Sequence, residues 1–587
     1  MSTTPFKRKR VRKACIPCHQ RKRKCDTVYP CGMCATYGYN CRYTNDNIIG
    51  TLDGELPNAP SVKRTSHDVD GASRMTRRAA TDRSPSNQSQ IQRDRREGAG
   101  SSTKSPSVLA DTSPGIFDEQ KFRYSGGSAA MAFPHILGVA LGADSPPKTR
   151  SFAYNFGVRP EEASNAHCFL GNLISEEDLG FFSGAYFLVL GPIVDVLDPE
   201  TYPQRCRNYY RGSVSNSVAF AAVAAGVAAL GSFLSPSGHP RESDLVQYAK
   251  AILDDPASMR LHGIDHIVAW GLRVLYLRAT TRPSNAWIAS CTQMHLCEAL
   301  GLHEEANIKK IASLASAAVL GHDADRLRRI FWLSWAGHTM LSYEYDRSPG
   351  ALRVVTCQAI TSTPGSVADQ FVQLIHTIPS PNSPFQLDSQ PPLTPIQELF
   401  ERLKALDKLK FTHPFLVVTK AEIAFCFYRR LYQLKVRMPD DCIQLLIDSG
   451  NAAVEAALQQ ASQGRLFWNV IGSVFQYTCI LLAIDTPAAT AHIGAAFKGL
   501  EKLVKAADTG LTREALSIAR HLLSLSMAKK RKELAQLEAV EADFEFSQPP
   551  PASEANTAVP DMDWAVDWDQ FFIEPYFCML GQELPPV

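Results

Sequence analysis

Between Tyr43 and Phe117 the chain has no phenylalanine, tryptophan or tyrosine, and Ser, Thr, Asp, Arg, Gly and Pro dominate instead. A stretch so poor in large apolar side chains buries too little surface to offset its ordering entropy, so residues 45–115 read as a disordered linker. Acids are as scarce just upstream. Residues 7–42 hold eleven Lys or Arg against the single acid Asp26, although the whole 587-residue chain has a net charge of only +2. That local excess excludes a cationic partner and points to a polyanion, of which nucleic acid is the commonest.

Other absences exclude whole function classes. There is no GxSxG, no P-loop and no GxGxxG, and His303-Glu304-Glu305 begins like a metalloprotease helix but has Asn at 307 where a second His is needed. Enzyme chemistry therefore has no motif to rest on. The first residues are polar and basic, without the apolar stretch of a secretory signal. A reducing compartment is thus expected, in which clustered cysteines bind metal rather than form disulfides. The long uncharged run Val218 to Leu234 is rich in Ala and includes two glycines. At about 17 residues it predicts a buried bundle helix and no membrane span.

What is present concentrates in residues 14–44. Cys15, Cys18 and Cys25 are followed by Cys31, Cys34 and Cys41 at the same spacing, and residues 26–30 join the two halves. Two zinc ions with four tetrahedral ligands each need eight metal–sulfur bonds, and six thiolates supply them when two sulfurs bridge. Arg21, Lys22, Arg23 and Lys24 offset the anionic charge of such a cluster. With almost no apolar core, the unit draws most of its folding free energy from metal binding, on the order of 10 kcal/mol. The other nine cysteines are scattered and read as core or surface thiols.

Residues 14–26, ACIPCHQRKRKCD, with Pro30-Cys31-Gly32-Met33-Cys34 and Cys41, closely resemble the fungal zinc binuclear cluster transcription factors. The resemblance implies two Zn2+ ions, with Cys15 and Cys31 as bridging ligands, Cys18 and Cys25 completing one site and Cys34 and Cys41 the other. Pro30 would shape the joint. Lys22, with Arg21 beside it, would reach guanine edges of a CGG-like triplet in the major groove of double-stranded DNA. His19, Arg23, Lys24, Arg12, Lys13 and Arg42 join them as the expected DNA-binding set. His19 stands where the family often has arginine, which implies one weaker phosphate contact without a change in the base read.

Around this module the chain divides into a basic arm at 1–13, the cluster at 14–44, the linker at 45–115, a large all-α domain at 116–541 and an acidic-aromatic tail at 542–587. Lys7 to Lys13 reads as a nuclear-import signal or a phosphate-contacting arm. Helical periodicity runs through Trp287, Cys291, Met294 and Cys297, opened by Pro283 and closed by Gly301. It recurs over residues 325–343, 417–434, 443–463, 468–483 and 491–507. Trp287, Ala299 to His303, Arg326 to Trp332 and Asp346 to Pro349 are similar to the family's middle homology region, with Gly337-His338 in place of its common Asp-Arg pair. The tail, with Asp561, Asp563, Trp564, Asp567, Trp568 and Asp569, has the composition of a disordered activation segment that contacts coactivators.

The expected function is that of a nuclear, DNA-binding regulator of RNA polymerase II transcription, acting on metabolic or secondary-metabolite genes as an activator. The alternatives are a repressor with the same module and a zinc-dependent protein-interaction module. No heptad follows the cysteines, so the expectation is either monomeric binding or a homodimer formed through the helical domain.

Overall fold

The computed structural model describes the six clustered cysteines with Ala14 and Ile16, short pieces between residues 116 and 146, and residues 167–544 apart from 213–217, 257–262, 351, 353 and 384–392. The arm at 1–13, the linker at 45–115 and all of the tail beyond Phe544 lie outside the described residues. Two compact units divide the chain, Met1–Thr103 with the cysteines and Lys104–Val587 with the helices.

The second unit opens with a small antiparallel hairpin, β1 (Ile116–Asp118) and β2 (Arg123–Ser125), in register at Phe117 and Tyr124. The helices follow as α1 (Phe133–Ala140), α2 (Glu176–Val189), α3 (Thr201–Tyr210), α4 (Val218–Leu234), α5 (Glu242–Leu253), α6 (Ile264–Thr280), α7 (Pro283–Ala299), α8 (Glu305–Ala312), α9 (Ala315–Leu320) and α10 (Ala324–Glu344). The second half contains α11 (Val367–Ile375), α12 (Pro395–Lys408), α13 (Pro414–Gln433), α14 (Asp440–Ser462), α15 (Trp468–Ile484), α16 (Pro487–Ala506) and α17 (Gly510–Phe544). The all-α reading holds, with the hairpin as its exception among the described residues.

Local chemistry sets the helix ends. Pro opens α7, α12, α13 and α16, where its missing N–H leaves no bond unmade. Asp323 caps α10 by accepting from the Arg326 N–H at 2.8 Å. After α7 the chain turns at Gly301, whose φ of +75° favours a residue without a side chain. A Cβ there would lie 2.7 Å from Asn307 Nδ2 and 3.0 Å from Tyr124 Cβ.

Helix α4, the uncharged run, is buried along nearly its whole length at the centre of the first half. Its alanines let neighbours approach closely, and at Gly231 a Cβ would fall 1.9 Å from the Phe182 carbonyl oxygen of α2. No described helix is long and apolar enough to cross a membrane.

The segments that resemble the middle homology region turn out to be clamps. Trp287 donates its indole N–H to Ser342 Oγ at 3.1 Å, and the Arg347 guanidinium lies 4.9 Å from its ring centroid. Arg329, buried in α10, pairs with Asp369 of α11, with Asp325 at 2.9 Å and with Asp195 at 3.1 Å, and its Nη2 donates to the Thr361 carbonyl at 3.1 Å. Arg328 pairs with Glu305, and this contact, ahead of the cost of burial, holds the carboxyl below its ordinary value. One cation on α10 thus ties together three otherwise separate segments. The hairpin docks through Tyr124, whose ring meets His303 edge-on at 5.2 Å and whose hydroxyl donates to Glu304.

Candidate metal centre and DNA interface

Among the described residues, Ala14 is the partly buried hydrophobic residue packed against the six cysteines. Each thiol is almost completely buried, from 0% exposed at Cys15 and Cys31 to 4% at Cys41. Six buried thiols packed together are a metal-donor set, so something beyond apolar transfer can hold them.

Their arrangement says what. Cys15, Cys18, Cys25 and Cys31 form one foursome whose sulfurs all lie within 4.8 Å of one another, and Cys15, Cys31, Cys34 and Cys41 form a second. Cys15 and Cys31 belong to both. Their sulfurs are 3.7 Å apart, with Cys18 to Cys31 at 3.6 Å and Cys15 to Cys34 at 3.5 Å. A disulfide would need about 2.05 Å. The edge of a zinc–thiolate tetrahedron with bonds of about 2.3 Å is about 3.8 Å, close to what is seen.

Backbone groups support the sulfurs as they would support thiolates. The Cys34 N–H donates to Cys31 Sγ at 3.3 Å, Cys31 N–H to Cys41 Sγ at 3.4 Å and Cys15 N–H to Cys25 Sγ at 3.5 Å. Without a cation, burial pushes the Cys15 and Cys18 thiols above their ordinary value. A divalent ion reverses that, since a coordinating thiol is deprotonated outright. The donor set, its spacing and its overlap therefore fit two zinc ions.

Comparison with known proteins agrees. The family model described as the fungal Zn(2)-Cys(6) binuclear cluster domain matches residues 13–47. Protein RDR1 of Saccharomyces cerevisiae is 39% identical over 91% of this chain and 92% of its own length. The chain belongs to the fungal Zn(2)-Cys(6) binuclear cluster transcription factors. Transcription factor kojR of Aspergillus oryzae is 29% identical over 90% of this chain and 86% of its own. The probable transcriptional repressor C1348.12 of Schizosaccharomyces pombe is 23% identical over 78% and 92%. No solved structure matches. The similarity extends well beyond the cluster, so the helical domain is shared with these relatives as well.

As a family member the protein regulates transcription by binding DNA, and its cluster domain binds two zinc ions. The residues expected to touch DNA, Lys22, Arg21, Arg23, Lys24, His19, Arg12, Lys13 and Arg42, lie outside the described residues, as does Pro30.

In the helical domain one arrangement imitates a catalytic pair. Ser290 Oγ and His338 Nδ1 are 2.8 Å apart, both buried. However, the Gly350 N–H donates to His338 Nε2 at 3.1 Å, so Nδ1 carries the proton, and Ser290 donates its own to the Trp287 carbonyl at 2.7 Å. A serine whose partner histidine donates to it is not activated as a nucleophile. Burial, with His295 as a lesser cause, lowers His338 to about 4, which keeps the ring neutral. His338 is therefore a bracket between α7, α10 and the Gly350 turn.

Sequence reasoning passed over a second group, Arg278, Glu344 and Glu422 on α6, α10 and α13, which line one cavity. A glutamate among the apolar residues of α13 was its sequence signal.

Proposed function

We propose that Cys15 and Cys31 each bridge two zinc ions, that Cys18 and Cys25 complete one site and Cys34 and Cys41 the other, and that Lys22 with Arg21 reads a CGG-like triplet in the major groove. The observation that carries the reading is the membership of Cys15 and Cys31 in both sulfur foursomes. His19, Arg23, Lys24, Arg12, Lys13 and Arg42 hold phosphates in this reading. The site acts by recognition alone, and the protein is not an enzyme. The tautomer of His338 supports this, since it leaves Ser290 without a base.

The protein works in the nucleus, carried there by Lys7 to Lys13, and activates RNA polymerase II transcription of metabolic or secondary-metabolite genes through coactivators that contact residues 542–587. Repression is the second reading, favoured by the S. pombe relative whose name is probable transcriptional repressor. A homodimer forms through the helical domain. Leu534, Leu537 and Val540 are exposed on α17, which carries Lys529 to Lys532 ahead of Glu538 and Glu541. An antiparallel pair of such helices sets unlike charges opposite each other.

A gel shift with full-length protein tests the core of the proposal. Lys22→Ala is expected to abolish the preference for CGG-containing duplex over a scrambled one. Unchanged preference removes Lys22 as the reader, and a preference absent already in the wild type removes the triplet.

A further inference from the structure

The helical domain contains a cavity where α6 and α10 of its first half meet α13 and Trp468 of its second. It leaves about 110 Å³ for the centres of water-sized molecules, several times the roughly 10–15 Å³ that one water needs. Its walls are mostly hydrocarbon, with Val274, Leu333, Met340, Phe371, Phe415 and Trp468 among them. The charged groups are Arg278, Glu344 and Glu422, with Gln293, Ser334 and Thr419 as further polar residues of the wall.

Their hydrogen bonding is incomplete. Arg278 Nη2 donates to both Glu344 oxygens, at 2.9 and 3.1 Å, and the guanidinium lies 5.1 Å from the Trp468 ring centroid. Both bonds come from Nη2, and Nε, which has no acceptor, is closed off by its neighbours, so Nη1 is the guanidinium nitrogen left for a partner in the cavity. Thr419 and Ser334, also in the wall, point their hydroxyl protons at their own helix, to the Phe415 carbonyl at 2.8 Å and the Ile330 carbonyl at 2.6 Å. Glu422 is 4% exposed. Burial first, and then Glu344, push its carboxyl up to about 8 against the pull of Arg278 and Arg429. At neutral pH this end of the cavity is therefore uncharged overall, with Arg278 paired to Glu344 through Nη2 and Glu422 carrying its proton, while Nη1 is left for an acceptor.

We propose that the cavity is a binding site for a small, uncharged, mainly apolar molecule with one hydrogen-bond acceptor oxygen, its hydrocarbon packed among Val274, Leu333, Met340 and Phe371 and its oxygen accepting from Arg278 Nη1. An anion would have to compete with Glu344 for the guanidinium, and a cation would face that guanidinium directly. A molecule held there touches helices of both halves of the domain. The inference is independent of the DNA reading.

Saturation-transfer NMR on the full-length, zinc-loaded protein tests it with three probes of one size: acetophenone, ethylbenzene and 1-phenylethylammonium. Acetophenone is expected to bind at least about 10-fold more tightly than ethylbenzene, the usual scale for a hydrogen bond from a charged donor, and the ammonium ion to give no transfer. Arg278→Lys keeps a cation for Glu344 but has no second terminal nitrogen, and is expected to bring acetophenone down to the level of ethylbenzene. Gly337→Leu supplies a control that keeps the fold. Gly337 lines the cavity from within α10, and a Cβ there meets nothing within 4 Å. The added side chain fills the space while improving helix propensity, so the melting temperature is expected to hold or rise as transfer to both neutral probes disappears. The proposal is overturned if acetophenone gives no transfer with the wild type, if it binds Gly337→Leu as well as wild type, if the hydrocarbon binds as tightly as the ketone, or if the ammonium ion binds more tightly.

Discussion

The Sγ atoms of Cys15 and Cys31 lie 3.7 Å apart, and these two residues are the members common to both sulfur foursomes of the zinc cluster. Two halves of the sequence, sixteen residues apart at these positions, meet at this pair of sulfurs.

Loss of a shared sulfur and loss of a terminal one should therefore differ. Cys31→Ser takes a ligand from both sites and is expected to leave less than about one zinc per chain, whereas Cys41→Ser spares the Cys15, Cys18, Cys25 and Cys31 set and is expected to retain about one. Native mass spectrometry of the purified variants reads the stoichiometry. Equal zinc content in the two variants would contradict the bridge assignment.

Salt dependence separates base readers from phosphate binders. Each phosphate contact contributes about −0.9 to the slope of log K against log salt on duplex DNA. Arg12→Ala and Lys13→Ala are expected to make the slope shallower by about one each while leaving sequence preference intact. Lys22→Ala is expected to cost about 1–3 kcal/mol on the cognate triplet alone. Titrations by fluorescence anisotropy at several salt concentrations measure both quantities.

Arg329 faces three carboxylates, those of Asp195, Asp325 and Asp369, with its side chain only 7% exposed. Replacing it by methionine keeps the length and removes the charge, so the carboxylates are left to repel one another. A loss of about 3–5 kcal/mol is expected, the usual result of breaking a buried pair from one side. Thermal unfolding of the helical domain measures it. A melting temperature within a degree or so of wild type would mean that solvent already screens these acids.

Glu422 gives the helical domain a pH dependence of definite sign. Its carboxyl stays protonated up to about 8 when folded, against an ordinary value of 4.5, because of burial first and then Glu344, with Arg278 and Arg429 opposing. Between those values the folded chain holds a proton that the unfolded chain has lost. Its contribution to stability is therefore whole below pH 4.5 and declines as pH rises toward 8. Glu422→Gln removes the ionisation, so its advantage over wild type in melting temperature is expected to grow from about pH 5 to about pH 9. An advantage independent of pH would show that Glu422 is already charged when folded.

Much of the domain was legible residue by residue because its signals are local. Pro283 and Gly301 bracket α7, Trp468 begins α15, and the apolar spacing from Asp325 to Tyr343 falls within α10. The metal centre was legible for the same reason, since zinc accepts any chain that brings four thiolates to its corners, and the repeated cysteine spacing does so over a few residues. The hairpin of β1 and β2 was missed, because three-residue strands carry no alternation to read and this one depends on Tyr124 finding His303 and Glu304 nearly two hundred residues away.

By itself, then, the sequence determined that six cysteines would gather around metal, that a basic flank would accompany them and that a large helical domain would follow. Only the tertiary structure decided that Arg329 would meet Asp195 and Asp369, that His338 would lend its proton to Ser290 rather than take one, and that Arg278, Glu344 and Glu422 would converge on a cavity. Caps, periodicity and ligand spacing act within a few residues of chain, whereas the charge state and hydrogen bonding of a buried side chain depend on which distant helices pack against it.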